Sequence, residues 1–600
     1  MRFAALAAYL ERLEKTTSRN DITRILAELF EKTSAEDIDK ACYLLLGELV
    51  PAYRGIVFNI AEKTMARIIA KAYARTTAEV LRLYQARGDH GDVAYELAQG
   101  RRHAGDALSV TAVYGRLLAI ASEAGSGSQE RRINSFAALL GGLDPLSAKF
   151  VARIPVGKLR LGFSDATVLD ALSILTAGDK SARKRIEAAY NVTADIGALA
   201  RRLRSSGLPA LRRLGATPGI PIRPSLAERM NTIDDIIVKA GPEVAVEPKL
   251  DGLRTQIHIW HQAGKKEVAL FSRNLENTTA MFPEIAAAAR RMRVRSAILD
   301  GEAIGFNAKT GRYAPFQETA QRKRKHDIEV FAKKIPLVVL VFDALYLNGK
   351  SLLNLPYVER RKILERLVGR GADGELRTDL QRVTDDPAVI ARELQANVSK
   401  GLEGVVVKNL STPYQAGSRG FHWIKLKATT AALQGLRAGG GPLAGRAGRG
   451  KMQLPDTIDC VVMGVYKGRG KRALVGIGGF LIGVREYDRY YSISRLGSGL
   501  SDEQFREAAE RITELKAAEQ PKEYVVLKEI VPDVWIRPRL VVEILADGIS
   551  LSLRHTAGKK GGGRGYSLRF PRLVRFRGDK NPEDATSVAE IIKMYRGQRS

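Results

Sequence analysis

The sequence predicts a multidomain protein in which an all-α domain is followed by an α+β domain and a small β-barrel domain. Three observations support this fold class. The chain has 600 residues, more than a single hydrophobic core accommodates. Apolar residues follow helical spacing up to about residue 213 and strand-like patterns after it. A glycine-rich run, Gly435–Lys451, separates two groups of strand patterns.

The all-α domain is predicted to cover residues 1–215. One helix is typical, because its apolar residues are spaced to share a single face. They are Ile22, Ile25, Leu26, Leu29 and Phe30. Basic residues recur at the polar positions of this region, where they form either a solvated helix face or a set of phosphate contacts. They are Arg101, Arg102, Arg131, Arg132, Lys158, Arg160, Arg183, Lys184, Arg201, Arg202 and Arg204.

The α+β domain is predicted to cover residues 216–430, because the helical pattern breaks at Gly215–Pro221. Beyond the break, strand and helix patterns are mixed, which predicts a domain built largely on antiparallel hairpins. The predicted strands are 244–248, 255–260, 268–272, 297–304, 337–346 and 403–408, and the predicted helices include 283–293 and 357–368.

The glycine-rich run predicts a flexible linker over residues 431–456, since it has too few apolar side chains to fold. Short strands follow over residues 457–600, and this pattern is typical of a small barrel of the OB type, a common nucleic-acid-binding fold. The predicted strands are 458–466, 474–484, 490–494, 524–530, 540–545 and 550–553, with helices at 503–516 and 585–596.

Charge and cysteine content restrict the class of protein. A formal net charge of +30 and a pI near 10 favour a polyanionic partner, and no apolar run is long enough to predict a membrane span. Cys42 and Cys460 are the only cysteines, so neither a zinc ribbon nor a disulfide framework is expected.

Lys249 lies where an apolar run, Val244–Val246, ends and before an alternating run, Thr255–Trp260. This places the lysine at a strand end, and Asp251 and Gly252 predict a hairpin turn into the next strand. Such a lysine is a nucleophile if burial or neighbouring cations lower its pKa, and a solvated turn residue otherwise. The pattern K-x-D-G alone leaves both interpretations open.

Other charged side chains interrupt the apolar strands of the same domain. Lys425 and Lys427 share one face of an alternating strand, which is either an edge or a phosphate-binding surface. Glu302 either binds a cation or forms an ion pair with Arg273. The remaining charged positions are Asp300, Asp343, Glu403 and Lys408. Together they supply an amine, cations and carboxylates, the groups that phosphoryl transfer requires.

The ordered series KLDGLR, SRN, LDGE, FDALYLNG, EGVVVK and WIKLK resembles the motif set of the nucleotidyltransferase superfamily of ligases and capping enzymes. IPVGKLRLGFSDATVLDAL is similar to the helical DNA-binding domain of replicative ATP-dependent DNA ligases. VPDVWIRPRLVVEILADGISLS and LRFPRLVRFRGDKNPEDAT are similar to their barrel. The chain is therefore identified as a member of the archaeal and eukaryotic type of these ligases. This implies an all-α DNA-binding domain, an α+β nucleotidyltransferase (adenylation) domain and an OB-fold domain.

The resemblance implies a role for each matching residue. Lys249 attacks the α-phosphate of ATP, releases pyrophosphate and carries AMP as a lysyl-AMP. AMP then passes to the 5′-phosphate of a nick in double-stranded DNA, and the 3′-hydroxyl displaces AMP to seal the strand. Glu247 recognises the adenine and Phe342 stacks on it. Arg254 and Arg273 hold the sugar and phosphate.

Metal and phosphate contacts are implied in the same way. Glu302 contacts the ribose and, with Glu403, binds Mg²⁺, for which Mn²⁺ is an alternative. ADP and GTP remain alternatives to ATP. The cations that neutralise phosphate charge are Arg419, Lys425 and Lys427. The barrel residues that close over the nucleotide and orient pyrophosphate are Arg569, Arg572, Asp579 and Lys580.

The same resemblance predicts partners and setting. We expect a monomer that acts on nicked DNA in replication, repair and recombination, in the cytoplasm at the nucleoid or in the nucleus of a eukaryote. A sliding clamp is a candidate partner, although Gln99–His103 lacks the aromatic residues of the clamp peptide. The family usually continues after Lys427 with a short acidic-aromatic segment, whereas Ala428–Thr430 and the glycine-rich run follow here.

Three other functions compete with this interpretation. Capping guanylyltransferases and RNA ligases share the lysine motif but do not explain the helical first third. A non-catalytic DNA-binding protein on a degenerate ligase scaffold does not require the intact lysine and carboxylates. An NAD-dependent ligase is expected to carry a four-cysteine zinc module, which two cysteines cannot form.

Overall fold

The computed structural model describes residues 1–101, 108–157, 159, 161–230, 232–308, 310–324, 326–369, 374–400, 402–427, 457–467, 477–497, 500, 502–561 and 563–597. Two compact units are present. The first comprises Met1–Glu228, Glu243–Val383 and Lys408–Ile424. The second comprises Arg229–Pro242, Thr384–Val407 and Lys425–Ser600. The predicted linker, 431–456, lies outside the described residues.

The first third of the chain is helical, as its apolar spacing predicts. Its helices, α1–α12 in chain order, are Phe3–Glu14, Arg19–Lys32, Ile38–Leu46, Glu62–Ala72, Thr77–Arg87, His90–Ala98, Val110–Ser122, Ser128–Gly141, Pro145–Arg153, Asp165–Ala177, Arg183–Thr193 and Ile196–Ser206. They enclose one hydrophobic core that extends from Phe3 to Leu211. The predicted apolar face of α2 contributes Leu26, Leu29 and Phe30 to this core.

The middle region mixes strands and helices, which confirms the α+β prediction. Strands β1–β12 are Leu226–Met230, Val244–Lys249, Leu253–Gln262, Lys265–Ser272, Ala297–Asn307, Arg312–Tyr313, Leu337–Leu347, Lys350–Ser351, Leu376–Thr378, Arg382–Thr384, Gly404–Asn409 and Arg419–Lys427. Helices α13–α18 are Ile233–Ala240, Pro283–Arg291, Phe316–Thr319, Ile328–Lys334, Tyr357–Val368 and Pro387–Ser399. The predicted strands and helices of this region are all found, with small shifts at their ends.

Two sheets organise these strands. The larger has the order β4-β3-β5-β7-β8, with β6 added to β5 and β9 added to β7. Its ladders are antiparallel except for the parallel pair β7–β9. The second sheet has the order β1-β12-β11-β2-β10. Helices α14 and α17 cover the larger sheet, where Ile285 and Leu364 join its buried core.

The predicted hairpin at Asp251 and Gly252 is wrong. Strand β2 ends at Lys249 and β3 begins at Leu253, but the two strands belong to different sheets. Gly252 is required by a close backbone approach instead, because a Cβ at this position would lie 2.5 Å from the carbonyl oxygen of Ala303. The Asp-Gly pair therefore connects two sheets and passes tightly against β5.

The last region is built mainly of short strands. Strands β13–β22 are Ile458–Lys467, Ile477–Glu486, Arg489–Leu496, Lys516–Ala517, Tyr524–Val525, Val534–Ile536, Val541–Leu545, Gly548–Ser552, Gly565–Arg569 and Arg572–Phe576. Helices α19 and α20 are Asp502–Thr513 and Val588–Gly597. Eight strands form one sheet in the order β16-β18-β13-β14-β15-β17, with β19 paired to β13 and β22, while β20 and β21 form a separate pair.

Sequence patterns anticipated part of this region. The predicted strands at 458–466, 490–494, 540–545 and 550–553 and both predicted helices are found close to their expected positions. The predicted strand 474–484 begins outside the described residues and continues as β14. The strand predicted over 524–530 is wrong beyond Val525, because Lys528–Ile530 winds into a 3-10 turn. Strands β16, β18, β21 and β22 were not predicted.

The two cysteines behave as core residues, as their apolar contexts suggest. Cys42 on α3 and Cys460 on β13 are buried, and burial raises the pKa of both thiols. Among the described helices, none is both long and apolar enough to cross a bilayer.

Candidate active site

Lys249 occupies the last position of β2, at the end of a buried apolar strand. Its Nζ atom lies 3.5 Å from the carbonyl oxygen of Leu250, and the side chain is half-buried. The predicted strand-end position is therefore confirmed, although the following turn differs from the prediction.

Glu302 on β5 is a predicted metal ligand, and it interacts electrostatically with Lys249. Burial raises the pKa of Glu302 to about 7, against the opposing charges of Arg254 and Lys249. Asp300 and Asp251 raise this pKa further. Two further carboxylates thus lie within electrostatic reach of Glu302, and a cation would relieve their mutual repulsion.

The guanidinium of Arg254 on β3 is fixed by contacts with buried residues of the same unit. Its guanidinium donates to both carboxylate oxygens of Asp300, at 2.7 and 2.6 Å, and the Tyr414 hydroxyl donates to the same carboxylate at 2.7 Å. Its Cζ atom lies 4.6 Å from the ring centroid of Phe342. The structure brings Arg254, Phe342 and Glu302 together, whereas Arg273 is exposed after β4. No ion pair joins Arg273 to Glu302 among the described residues.

Glu247 precedes Lys249 by two positions and is fully buried. Its Oε1 atom accepts hydrogen bonds from the Tyr357 hydroxyl and from Gln381 Nε2, the latter at 2.9 Å. Its Oε2 atom lies 2.5 Å from Lys408 Nζ. Burial alone would raise the pKa of Glu247, but ion pairing with Lys408 and Arg361 outweighs it and lowers the pKa.

Lys408 is the last residue of the EGVVVK motif. Sequence analysis assigned no role to this lysine, but it lies at the centre of this site. Its ammonium is 4.7 Å from the ring centroid of Phe342, 4.6 Å from that of Tyr357 and 4.5 Å from that of Trp423. The sequence signal that could have identified Lys408 is its position at the end of an apolar strand. Tyr357, Gln381 and Tyr414 belong to none of the recognised motifs, so sequence reasoning missed them.

Glu403 and Lys427 form an ion pair of 3.0 Å within the second unit. Lys425 and Lys427 alternate on β12 with buried Leu426, so the prediction that they share one face is confirmed. Arg419, at the start of the same strand, is exposed. No cluster of three or more His, Cys, Asp or Glu side chains arranged for a metal is present in the described part of the chain.

The predicted barrel residues are largely paired within their own region. Arg572 donates to Asp547 at 2.6 Å, and Lys580 donates to Asp459 at 2.6 Å.

Arg577 donates to both oxygens of Asp579, at 2.8 and 2.7 Å, and lowers the pKa of that carboxyl to about 2. Sequence reasoning missed Arg577. Arg569 lies beside exposed Phe570, with 5.7 Å between its Cζ atom and the ring centroid.

Comparison with known proteins adds three family models in chain order. The DNA ligase N terminus matches residues 2–173, the ATP dependent DNA ligase domain matches residues 224–427, and the ATP dependent DNA ligase C terminal region matches residues 474–580. This order, around a site with a strand-end lysine, defines the class of the protein as a ligase that uses ATP.

Full-length relatives make the family specific. The probable DNA ligase of Dictyoglomus turgidum is 41% identical, and the alignment covers 100% of this chain and 98% of the relative. DNA ligase 2 of Thermofilum pendens is 37% identical over the same shares. The solved structure Pmar-Lig_PreS3 covers 96% of this chain and 99% of its own, with 18% identity and a TM-score of 0.53, which shows the fold alone. The chain belongs to the ATP-dependent DNA ligases, enzymes that seal nicks in duplex DNA.

Proposed function

We propose that Lys249 is the nucleophile of this ligase and carries the nucleotide between substrates. The lone pair of its Nζ atom attacks the α-phosphate of ATP, the bond to pyrophosphate breaks, and the amine gives up a proton. AMP then transfers to the 5′-phosphate of the nick, and the 3′-hydroxyl displaces AMP to form the phosphodiester bond. The observation that carries this assignment is the half-buried position of Lys249 at the end of β2, where it interacts electrostatically with Glu302.

The base and sugar contacts follow from the same neighbourhood. Glu247 accepts a hydrogen bond from the adenine, and Phe342 stacks on it. Arg254, which lies between Asp300 and Phe342, and exposed Arg273 hold the sugar and phosphate. The proximity of Arg254 and Phe342 supports these roles.

Glu302 and Glu403 are proposed to hold Mg²⁺, or Mn²⁺ in its place, which would neutralise phosphate charge when bound. Mg²⁺ is commonly bound by one or two carboxylates together with substrate phosphates, and Glu302 and Glu403 are two such carboxylates. The raised pKa of Glu302 supports the fit, since a buried carboxylate near other acids gains from a cation.

The remaining predicted residues are proposed to act on phosphate groups. The cations that neutralise phosphate charge are Arg419, Lys425 and Lys427. The barrel residues that close over the nucleotide and orient pyrophosphate in the first step are Arg569, Arg572, Asp579 and Lys580. Lys427, Arg572 and Lys580 have internal acid partners, so phosphate must compete with these carboxylates for the cations.

The fold of the last region, the oligomeric state, the cellular role and the partners are proposals as well. We infer an OB-type barrel in the last region, with short antiparallel strands as its support. A monomer acting in replication, repair and recombination, at the nucleoid or in a nucleus, remains the expected state. The sliding clamp remains a prediction, since part of Gln99–His103 lies outside the described residues. ADP and GTP as substitutes for ATP remain predictions also.

One experiment tests the proposed chemistry. Wild type, Lys249→Ala and Lys265→Ala are incubated with α-labelled ATP and magnesium, and nicked duplex DNA is then added. We expect covalent label on the wild type and on Lys265→Ala, whose lysine is exposed on β4, and its discharge as DNA is sealed. Undiminished labelling of Lys249→Ala, or labelling by GTP alone, would contradict the proposal.

A further inference from the structure

One end of the larger sheet lies far from the candidate active site. Arg254 is the second residue of β3 and Gln262 is the last. The strand has 10 residues, so at about 3.3 Å per residue its ends lie about 30 Å apart. Three connections come together at the Gln262 end, because the first residue of β5 pairs with both β3 and β7 there. They are the β3–β4 turn, the segment 292–296 before β5 and the β7–β8 turn. We call this end of the sheet the distal end.

Hydrogen bonds join these connections to one another. His261 Nδ1 lies 2.9 Å from the carbonyl oxygen of Arg295, and the amide of Arg295 donates to Asn348 Oδ1 at 2.9 Å. Lys266 donates to the carbonyl oxygen of Met292. The backbone at the distal end is therefore fixed by the protein itself, which restricts the positions of the side chains that are exposed there.

The exposed side chains at the distal end include three cations. Arg293 and Arg295 lie on either side of Val294, which is 9% exposed and belongs to the core of the sheet. Lys350 is exposed at the start of β8. In the described part of the chain, none of the three forms an ion pair. We call Arg293, Arg295 and Lys350 the distal basic surface.

Acidic residues are scarce around the distal basic surface. Asp and Glu are absent from the sequence segments that form the distal end, which are 258–266, 285–299 and 344–358. Glu375 pairs with Arg291 at 2.9 Å, so this acid and this cation compensate each other. Glu267, the acid of β4, lies opposite Trp260. The cations outnumber it, so the distal end keeps a net positive charge.

The composition of the distal end fits a nucleic-acid backbone better than a protein partner. Among the described residues, none of the exposed large hydrophobic side chains lies in the three segments. Protein interfaces have an apolar core, whereas nucleic-acid interfaces are more polar and much more positively charged. Exposed cations without acidic partners can neutralise phosphates and release the counterions of DNA.

We propose that the distal basic surface is a second contact for the sugar–phosphate backbone of duplex DNA, remote from the nick that the enzyme seals. The contact is independent of base sequence, because it is made to phosphates. The phosphates belong either to the flank of the nicked duplex or to a second duplex, and their chemistry is the same. The surface adds affinity for DNA and takes no part in the transfer of AMP.

The test compares two variants that remove the same charge. Arg293→Ala/Arg295→Ala removes two cations of the distal basic surface. Lys362→Ala/Arg366→Ala, the matched control, removes two exposed cations from α17. This helix leads towards β9, which pairs with Val339–Val341 at the other end of β7. The control therefore has the same net charge as the test variant but an unchanged distal basic surface.

DNA binding by the full chain is measured by fluorescence anisotropy over a range of salt concentrations, in two arms. In the first arm, labelled nicked duplex is mixed with excess protein, so that each protein holds at most one duplex. In the second arm, labelled intact duplex is added to protein that is already saturated with unlabelled nicked duplex. A contact with the flank acts in the first arm, and a contact with a second duplex acts in the second.

We expect the arginine variant to reduce the slope of log K against log salt by about 1–2 in one of the arms, since each phosphate that is no longer neutralised removes about 0.9. The control should keep the wild-type slope in both arms. If the arginine variant fails to fold, Lys350→Ala decides alone, with an expected fall of about 0.9.

An unchanged slope in both arms would overturn the inference and would point to an acidic protein as the partner of this surface. An equal fall in the control would overturn it too, because net charge rather than the distal basic surface would then explain the binding. Failure of the wild type to form lysyl-AMP from ATP is a separate result, since it contradicts the proposed function and not this contact.

Discussion

Asp343 illustrates how a charged residue inside a motif can serve the fold. It belongs to the FDALYLNG segment, where an acid beside an aromatic suggested the reactive site. In the structure its carboxylate is fully buried and accepts two hydrogen bonds from the guanidinium of Arg360, at 2.8 and 3.0 Å. Arg360 also donates to the carbonyl oxygens of Leu355 and Thr412. Asp343 therefore joins β7 to α17, the helix that supplies Tyr357 to the site.

Replacing Arg360 with methionine tests this structural role. The change leaves Asp343 as an uncompensated buried charge, which is expected to lower the free energy of unfolding by about 3–5 kcal/mol. Urea unfolding followed by circular dichroism measures the effect. Arg291→Met is the matched control, because its ion pair with Glu375 lies at the surface and should contribute about 0–1 kcal/mol. Similar losses in the two variants would contradict the assignment.

His258 on β3 is a buried residue whose protonation makes the stability of the protein depend on pH. Its Nδ1 atom accepts a hydrogen bond from the Gly219 amide at 3.0 Å, and its Nε2 atom lies 2.8 Å from Gln256 Oε1. Gln256 also binds the backbone of Ile222, so the pair holds the chain between the helical and middle regions. Burial lowers the pKa of His258 to about 3.

The sign of the effect on stability follows from this lowered pKa. The unfolded state takes up a proton on His258 near pH 6.5, whereas the folded state does so only near pH 3. Stability from the neutral histidine is therefore complete above about pH 6.5 and declines as the pH falls toward 3. In His258→Gln, the free energy of unfolding should fall less steeply between pH 7 and 5 than in the wild type. Parallel pH profiles for the two proteins would refute this prediction.

At the scale of secondary-structure elements, the spacing of apolar residues predicted individual strands, because strand formation depends largely on local sequence. The alternating pattern of β3 and the apolar runs of β5 and β7 identified these strands, which contribute side chains to one core. The sequence did not reveal which strands pair. Asp251 and Gly252 have the composition of a hairpin turn, but the long-range packing of Gly252 on β5 decides the path of the chain. Motifs likewise found Lys249, whereas Tyr357 and Gln381 reach Glu247 only through tertiary packing.

Gly252→Ala tests whether close packing of this connection positions Lys249, the proposed nucleophile. The added Cβ would lie 2.5 Å from the Ala303 carbonyl oxygen and 2.9 Å from Glu302 Cγ, so backbone and side chain must shift. We expect a loss of about 1–3 kcal/mol in stability, together with slower formation of lysyl-AMP. The rate of labelling by α-labelled ATP, measured on folded protein, reports the second effect.

Gly115→Ala is the control for this substitution. Gly115 lies within α7, and nothing lies within 4 Å of the position its Cβ would take. Alanine is also the better helix former, by about 1 kcal/mol. Labelling at the wild-type rate in Gly252→Ala would show that the tight passage does not position Lys249.

At the scale of the whole molecule, the net charge of +30 favours a polyanionic partner, and DNA is one. The described basic residues of the helical region differ in how their charges are satisfied. Arg131, Arg183 and Arg201 form ion pairs with Glu123, Asp170 and Asp39. Arg101, Arg131, Arg132 and Arg204 donate to backbone carbonyl oxygens. The predicted basic residues Arg102, Lys158 and Arg160 lie outside the described residues.

Lys184 and Arg202 are exposed, and neither forms an ion pair within the described ranges. Their charges are therefore available to phosphates, whereas the charge of Arg183 is already compensated by Asp170 and Glu187. Replacing both with alanine should weaken binding to nicked duplex DNA and reduce the slope of log K against log salt by about 1–2, since each phosphate that is no longer neutralised removes about 0.9. Fluorescence anisotropy over a range of salt concentrations measures the slope.

Arg183→Ala, the matched control, should retain the wild-type slope. Lysyl-AMP formation should be unchanged in all three proteins because it needs no DNA. If the Arg183→Ala slope falls as far as that of the double variant, internal pairing does not determine which cations meet the DNA.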